Sequence, residues 1–427
     1  MARDQRLSNA RIVEANRQVI DRIFASEPML LDVGCARENV PGMRDDLFLH
    51  SGPPIGWDRM CPVMKAAAIG AAIYEGLAST PAEADMILAK GEVEFSPTHH
   101  HNSVAPMAGI ISKSMPVFVV KNETMGNFAY SNINEGVGRI KTLRFGANDA
   151  DVINRLKWIE GVLGPALSAA LKKLGRIELK QLIAEAIRRG DECHNRNKSA
   201  TSSLFNTLAV ALLETELEKE TIVQVLKFIA SNVHFFLNIS MASSKATMDS
   251  ASNVEYSTIV TAISSNGPDF GIRVSGLGDE WFTARPPRLA TGKIFEGFTK
   301  DDAGPFPGDS SISEPAGIGA SAMAAAPAIS EFVGGTPSLG LEITKKMYKI
   351  TFAEHDTYKI PYLNYRGTPV GIDLRKVLKT GIVPAIDVGV AHKKPGIGQI
   401  GAGIAYVPRE CFEKAARAFQ RKYGIKA

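Results

Sequence analysis

Several polar segments of this chain combine residue types that do proton-transfer, anion-binding or metal chemistry. Thr98-His99-His100-His101-Asn102 is the first. Extended backbone puts His99 and His101 on one face and His100 on the other. Two imidazoles on one face suit a metal, and a single one suits proton transfer. A polar turn is the structural alternative. The run from Asn122 to Asn134 carries Asn122, Asn127, Asn132 and Asn134 ahead of Glu135-Gly136. Asparagines hold turns, and amides beside a carboxylate also cradle a urea-like group. Gly190-Asp191-Glu192-Cys193-His194-Asn195-Arg196-Asn197 is the third segment. On a helix, Asp191, His194 and Asn195 share one side. A carboxylate there orients an imidazole for acid–base work, while Arg196 grips a carboxylate or phosphate. A solvated helix start needs only Asp191, which can cap the next helix after a C-cap at Gly190.

The remaining candidates carry more structural explanations. His234, in Asn232-Val233-His234-Phe235-Phe236-Leu237-Asn238, reads as a satisfied core histidine. Arg273 interrupts the apolar run Phe270–Val274, so it needs an anionic ligand or a buried carboxylate unless it lies on an edge strand. Glycines near Gly317-Ile318-Gly319, after Gly308-Asp309-Ser310 and Ser313-Glu314-Pro315, offer backbone N–H groups to an anion or allow close helix packing. His392-Lys393-Lys394-Pro395 precedes Gly396-Ile397-Gly398-Gln399-Ile400-Gly401. This spells G-x-G-x-x-G, but it follows a proline and leads into strand- or loop-like residues, so the dinucleotide context fails. A glycine loop beside His392 and Lys393 still suits phosphate. No P-loop, nucleophile elbow or H-E-x-x-H sequence occurs.

These residues need elements to position them. An amphipathic helix over 9–25 uses Ile12, Val13, Ala15, Val19, Ile20 and Ile23 as its apolar positions. Strands are expected at 29–33, 115–120, 257–263, 270–274 and 382–388, and helices at 62–77 and 230–246. Residues 149–189 read as helical throughout, without strands, and 316–329 as a buried helix. Thr336-Pro337 starts another helix. The order of elements lacks a regular βαβ rhythm, so the fold class is α+β. The expected division is an α/β domain over 1–145, a small helical domain over 146–198 and a larger α/β domain over 199–427. A chain of 427 residues with 22% charged residues and a formal charge of +4 has ordinary globular composition, with no basic stripe for nucleic acid. Cys35, Cys61, Cys193 and Cys411 form no CxxC pair, which argues for reduced thiols. The N-terminus lacks a signal-peptide pattern and no run reaches membrane length, so a cytoplasmic protein is expected.

The strings His50-Ser51-Gly52-Pro53-Pro54-Ile55, His99-His100, Ala129 to Gly136, Gly190 to Asn197, Phe270 to Gly278, Gly317-Ile318-Gly319, His392-Lys393 and Gly396 to Gly403 together resemble the AllG-like (YlbE-like) family, once a domain of unknown function. That family includes a subunit of oxamate carbamoyltransferase. The resemblance implies a mixed α/β fold with a helical domain and a role in allantoin and purine nitrogen catabolism. It implies conversion of oxalurate and phosphate to oxamate and carbamoyl phosphate together with an FdrA-like subunit and a third subunit. A homo-oligomer is also expected. The roles follow from chemistry. Arg273 or Arg196 holds the substrate carboxylate, Asn132 and Asn134 face the attacked carbonyl, and Lys393 with the glycine loop holds phosphate. His194 or His100, oriented by Asp191 or Glu135, protonates the leaving nitrogen, and His99 and His392 complete the binding set. No residue is assigned to a metal on this reading. A metal-dependent amidohydrolase using His99, His100, Asp191 and His194, for which a divalent metal would be the cofactor, and a non-catalytic scaffold are the alternatives.

Overall fold

The computed structural model describes residues 2–136 and 140–425. Its architecture is mixed α+β: helices surround several small, mainly antiparallel sheets. The largest sheet orders its strands Ser103–Val104, Phe128–Asn132, Pro116–Asn122, Pro28–Cys35 and Ile177–Glu178. Its central pair is antiparallel, with Leu30 opposite Val120 and Val33 opposite Phe118. Those four side chains face a core shared with the helices beyond residue 150.

The N-terminal helix, Ala2–Ala25, buries Ile12, Ala15, Val19, Ile20 and Ile23 as its periodicity predicts. Val13 is instead 42% exposed, because it lies one residue off the stripe. The expected run of helices is observed as Ala150–Trp158, Gly164–Leu174 and Leu179–Arg188. A π turn at Ile159–Leu163 joins the first two, where Pro165 removes a backbone donor from the following turn. Asp149 caps the first helix by accepting from Val152 N–H at 3.2 Å. A two-residue strand, Ile177–Glu178, interrupts this stretch and pairs with Met29 and Leu30. Helices continue as Lys198–Leu213, Lys219–Ser231 and Leu237–Ser250.

The last of these departs from the expected 230–246 segment. Asn232 stops the preceding helix and donates to Asn134 O at 2.9 Å, so the next helix starts only at Leu237. From Leu237 to Met248 every residue of it is buried. Ser, Ala and Asn keep it slender enough to pack on all sides, and its apolar side chains enter two separate cores.

The C-terminal part holds the meander Val260–Ser265, Phe270–Val274 and Phe282–Ala284. It also holds a hairpin of Ala385–Ala391 with Gln399–Tyr406, extended by Thr291–Ile294. The G-x-G-x-x-G string thus opens a β-strand, as its context indicated. Thr336-Pro337 does start a helix, Pro337–Ile350. The expected helix over 316–329 is replaced by a 3-10 segment, Gly319–Ala325, and a short α-helix, Pro327–Phe332. Gly317 and Gly319 hold positive φ of 84° and 62°, which no α-helix accommodates, and Pro327 cannot continue one across itself. Among the described residues no helix is long and apolar enough to cross a membrane.

His50 ends the strand Leu47–His50 and is fully buried, with Nδ1 2.8 Å from Ser51 O. A carbonyl only accepts, so Nδ1 carries the hydrogen. Burial holds the ring neutral and lowers its pKa to about 4. The unfolded chain therefore takes up a proton that the folded chain refuses between pH 6.5 and 4, and stability falls as pH drops through that window. His50→Gln is expected to flatten the decline in thermal midpoint between pH 7.5 and 5. An unchanged slope refutes this assignment.

Candidate functional site

The structure sorts the candidate residues into separate places rather than one. The first lies around His194. Residues 191–197 form an irregular loop, not the start of a helix, and the helix begins only at Lys198. Cys193 takes a left-handed φ of 62°. Glu192 organises this loop. Its carboxylate accepts from His194 N–H at 2.7 Å and from Arg196 N–H, while its own carbonyl accepts from Gly319 N–H at 2.7 Å. The side-by-side arrangement of Asp191 and His194 is therefore not formed. Asp191 instead accepts from Ala200 N–H at 2.9 Å, the capping role that its position also predicted. Arg196 turns back to donate to Gly190 O at 3.0 Å and stands 3.4 Å from Asp191.

His194 meets two other carboxylates. Its Nδ1 lies 3.0 Å from Glu314 Oε1 and 2.9 Å from Asp387 Oδ1. All three side chains are essentially inaccessible, at 3%, 0% and 0% exposure. Burial opposes an imidazolium, but Glu314 and Asp387 override it and raise the His194 pKa. Burial raises Glu314 and Glu192, and the negative charge of Asp387 adds to the rise.

The second place is an open cleft of ≈370 Å³ lined by His99, His100, Asn102, Lys245, Asp249, Arg273 and Asp279, among others. The three histidines lie in a 3-10 turn, Thr98–His101, rather than an extended segment, so they do not alternate between faces. His101 turns to Pro41 O and Ser96. His99 is buried with its ring edge-on to Trp281 at 5.3 Å. His100 is exposed at the mouth and accepts from Trp281 Nε1 at 3.3 Å. Indole only donates, so a neutral His100 carries its hydrogen on Nδ1. Partial burial and the charges of Arg273 and Lys245 lower its pKa.

Two cations face this cleft from buried backbone. The Lys245 side chain is 1% exposed and reaches Asp249 at 2.6 Å and His99 O at 3.2 Å. The Arg273 side chain is 6% exposed and pairs with Asp279, which is 78% exposed. Beneath them lies Asp309, fully buried. It accepts from Gly52 N–H at 2.9 Å, Ser264 Oγ at 2.5 Å, Thr98 Oγ1 at 2.6 Å and Ala105 N–H at 2.9 Å.

The other candidates are taken up by the chain itself. Asn132 and Asn134 bond Asn238, which donates to Asn132 Oδ1 at 2.8 Å and accepts from Asn134 at 3.2 Å. Glu135 accepts backbone N–H groups of Leu143 and Arg144. His392 packs on Phe298 and lies 3.9 Å from Asp302, and Lys393 donates to Asp301 O at 2.7 Å. The metal set His99, His100, Asp191 and His194 does not converge. Among the described residues the one group with converging donors is His194, Glu314 and Asp387.

Lys245 and Asp387 were not singled out from sequence, and Asp309 and Glu314 appeared only beside the Gly317-Gly319 segment, with no role of their own. The signal was available in part. Lys245 and Asp387 each interrupt an apolar or small-residue run, as Arg273 does, and the same cost of burying charge applies to them. Asp309→Asn replaces one acceptor oxygen by an N–H₂ group and strands two buried donors. A loss of about 2–4 kcal/mol in chemical denaturation is expected, and a loss under about 1 kcal/mol contradicts the hub role.

Comparison with known proteins agrees with this architecture. The family model described as "Oxamate carbamoyltransferase subunit AllG" matches residues 93–310. The Escherichia coli K12 oxamate carbamoyltransferase subunit AllG is 43% identical over 97% of this chain and 99% of that protein. The uncharacterized protein YahG of the same strain is 44% identical over 97% of this chain and 87% of its own length. A crystal structure of a conserved protein of unknown function from Enterococcus faecalis V583 superposes with a TM-score of 0.94 at 43% identity, covering 96% of this chain and 98% of that one. With a full-length relative at this identity and a family model covering half the sequence, the chain belongs to the AllG family of oxamate carbamoyltransferase subunits.

Proposed function

We propose that this chain is the subunit of a carbamoyltransferase that binds oxalurate and phosphate and yields oxamate and carbamoyl phosphate, in purine and allantoin nitrogen catabolism. On this reading it works with an FdrA-like subunit and a third subunit. Family membership supports the class of reaction. The observation that carries the assignment to a place in the molecule is the cleft in which buried Lys245 and Arg273 stand beside His99 and His100.

Oxalurate carries a carboxylate at one end and a carbamoyl group at the other. Arg273 is suited to the carboxylate, because a guanidinium presents two parallel donors. Its present partner, Asp279, is a solvent-exposed side chain that a substrate carboxylate can displace. Lys245 is suited to a phosphate oxygen, replacing the expected role of Lys393, which its own chain engages. A phosphate oxygen attacks the carbamoyl carbon and the carbon–nitrogen bond breaks. The departing nitrogen needs a proton to become the amide of oxamate. His100 supplies it through Nδ1, the nitrogen that Trp281 leaves free to donate. Partial burial and then the nearby cations keep His100 neutral before substrate binds, and arrival of two anions raises its proton affinity. The ring then takes the proton that the attacking phosphate loses onto Nε2, giving up the contact from Trp281, as it delivers its Nδ1 hydrogen to the leaving nitrogen, and it ends neutral. In this scheme Asn132, Asn134 and Glu135 support the fold and do not touch substrate.

The test is carbamoyl phosphate formation from oxalurate by this chain with its partner subunits. Arg273→Ala is expected to raise KM for oxalurate by about 10–100-fold, the loss of a charge-assisted pair of bonds. His100→Gln should lower kcat by about 100-fold, and Lys393→Ala should change neither. Full activity of both Arg273→Ala and His100→Gln complexes overturns this reading and leaves the chain a scaffold.

A further inference from the structure

We infer that His194, Glu314 and Asp387 bind a divalent transition-metal cation at a site separate from the cleft around Arg273. The inference does not depend on the carbamoyltransferase reading.

Three observations carry it. First, the donor atoms lie at the spacing of ligands around one ion. His194 Nδ1 is 3.0 Å from Glu314 Oε1 and 2.9 Å from Asp387 Oδ1, and all three donors lie within 4.8 Å of one another. Metal–donor bonds of about 2.1 Å meeting at right angles separate ligands by about 3.0 Å. Second, the protein alone does not satisfy these groups. An imidazole Nδ1 holds at most one hydrogen, yet two carboxylate oxygens approach it. Both Asp387 oxygens and Glu314 Oε2 are buried without a hydrogen-bond partner. Even a protonated His194 supplies one positive charge against two buried carboxylates, and excess buried charge is costly. Third, the backbone at Gly319 packs directly against the donor atoms. A Cβ there would lie 2.5 Å from Glu314 Oε1 and 3.2 Å from His194 Nδ1. Only glycine lets the backbone approach the donors this closely, and its φ of 62° suits glycine as well.

The surroundings fit a bound cation. Two carboxylates and a neutral imidazole balance a double positive charge. Glu192 places a third negative charge close by while its own oxygens are held by backbone N–H groups of His194 and Arg196. Ala320 N–H donates to Glu314 Oε1 at 3.2 Å and fixes that side chain. One nitrogen and two carboxylates form a borderline donor set, which favours Mn²⁺, Fe²⁺, Co²⁺ or Zn²⁺ over Mg²⁺ or Ca²⁺. Three protein donors leave a position for water or another ligand. The ligands come from the 191–197 loop, the segment before Gly319 and the strand Ala385–Ala391, so the ion would also tie three distant parts of the chain together.

The experiment uses the untagged full-length chain. Metal content is measured by plasma mass spectrometry. Protein stripped by chelation is then titrated with Mn²⁺, Zn²⁺, Co²⁺ and Mg²⁺, following heat of binding and thermal midpoint. One transition-metal ion per chain is expected, with a higher midpoint on refilling and little response to Mg²⁺. Asp387→Asn and Glu314→Gln, which preserve shape, should each weaken binding at least 10-fold. Co²⁺ bound to the wild-type chain should show visible bands of a nitrogen–oxygen site, a readout that requires no variant to fold. Absence of stoichiometric binding by the stripped wild-type chain overturns the proposal. So does binding that survives unchanged in folded Asp387→Asn and Glu314→Gln. Neither readout involves oxalurate turnover, so failure here and failure of the carbamoyltransferase reading are told apart.

Discussion

One buried carboxylate ties together the part of the molecule on which the cleft depends. Asp309 accepts four hydrogen bonds from residues at positions 52, 98, 105 and 264, which come from three separate stretches of the chain. Each donor alone contributes modestly, because water would serve it in the unfolded state. Together they make ionised Asp309 tolerable in a place that burial would otherwise forbid. The position of the histidine turn follows directly, since Thr98, one of the four donors, opens it. Other buried carboxylates use the same device. Glu192 holds two N–H groups of its own loop, and Glu135 holds those of Leu143 and Arg144. Asp387 is the exception: no backbone N–H or hydroxyl serves it and its close neighbour is His194 Nδ1, which separates the His194 group from an ordinary structural network.

Two segments run between the cleft and that group. Along the helix Leu237–Ser250, Asn238 and Ser240 hold Asn132 and Cys193 O, while Lys245 and Asp249 reach the cleft. Seven residues of helix from Asn238 to Lys245 span about 10 Å. The segment from Asp309 to Glu314 runs between the same two places, through a single 3-10 turn at Ser310–Ser313. The helix is buried from Leu237 to Met248, and so is the segment from Ser311 to Glu314.

Much of the fold was legible because helix periodicity and turn chemistry are local. The amphipathic N-terminal helix, the helices from Ala150 to Arg188 and the strand of Pro28–Cys35 follow from apolar spacing and from Asp149, Gly190 and Pro28 as boundaries. The expectation failed where a distant partner overrides local preference. Ala316 to Ile329 is rich in helix-forming alanine, yet positive-φ glycines and Pro327 turn it into a 3-10 segment pressed against the His194 loop. Asn232 breaks a plausible long helix because Asn134, almost a hundred residues earlier, accepts its amide hydrogen bond.

The site was harder to read than the fold for a related reason. Clusters of polar residues adjacent in sequence drew attention, but adjacency gives no information about tertiary convergence. His99-His100 and Asp191-to-Asn197 lie in different places, and much of the second segment closes its own loop. The groups that converge are single charges embedded in apolar or small-residue runs: Lys245 among alanines and serines, Arg273 in a buried strand, Asp387 between Ile386 and Val388. Each is expensive where it stands, so each requires a partner from elsewhere in the chain or from a ligand. A density of polar residues marks a loop that can satisfy itself. A solitary charge in a hydrophobic element requires a partner that the sequence around it does not supply, and in this protein those solitary charges define both the cleft of Lys245 and Arg273 and the carboxylate–imidazole group.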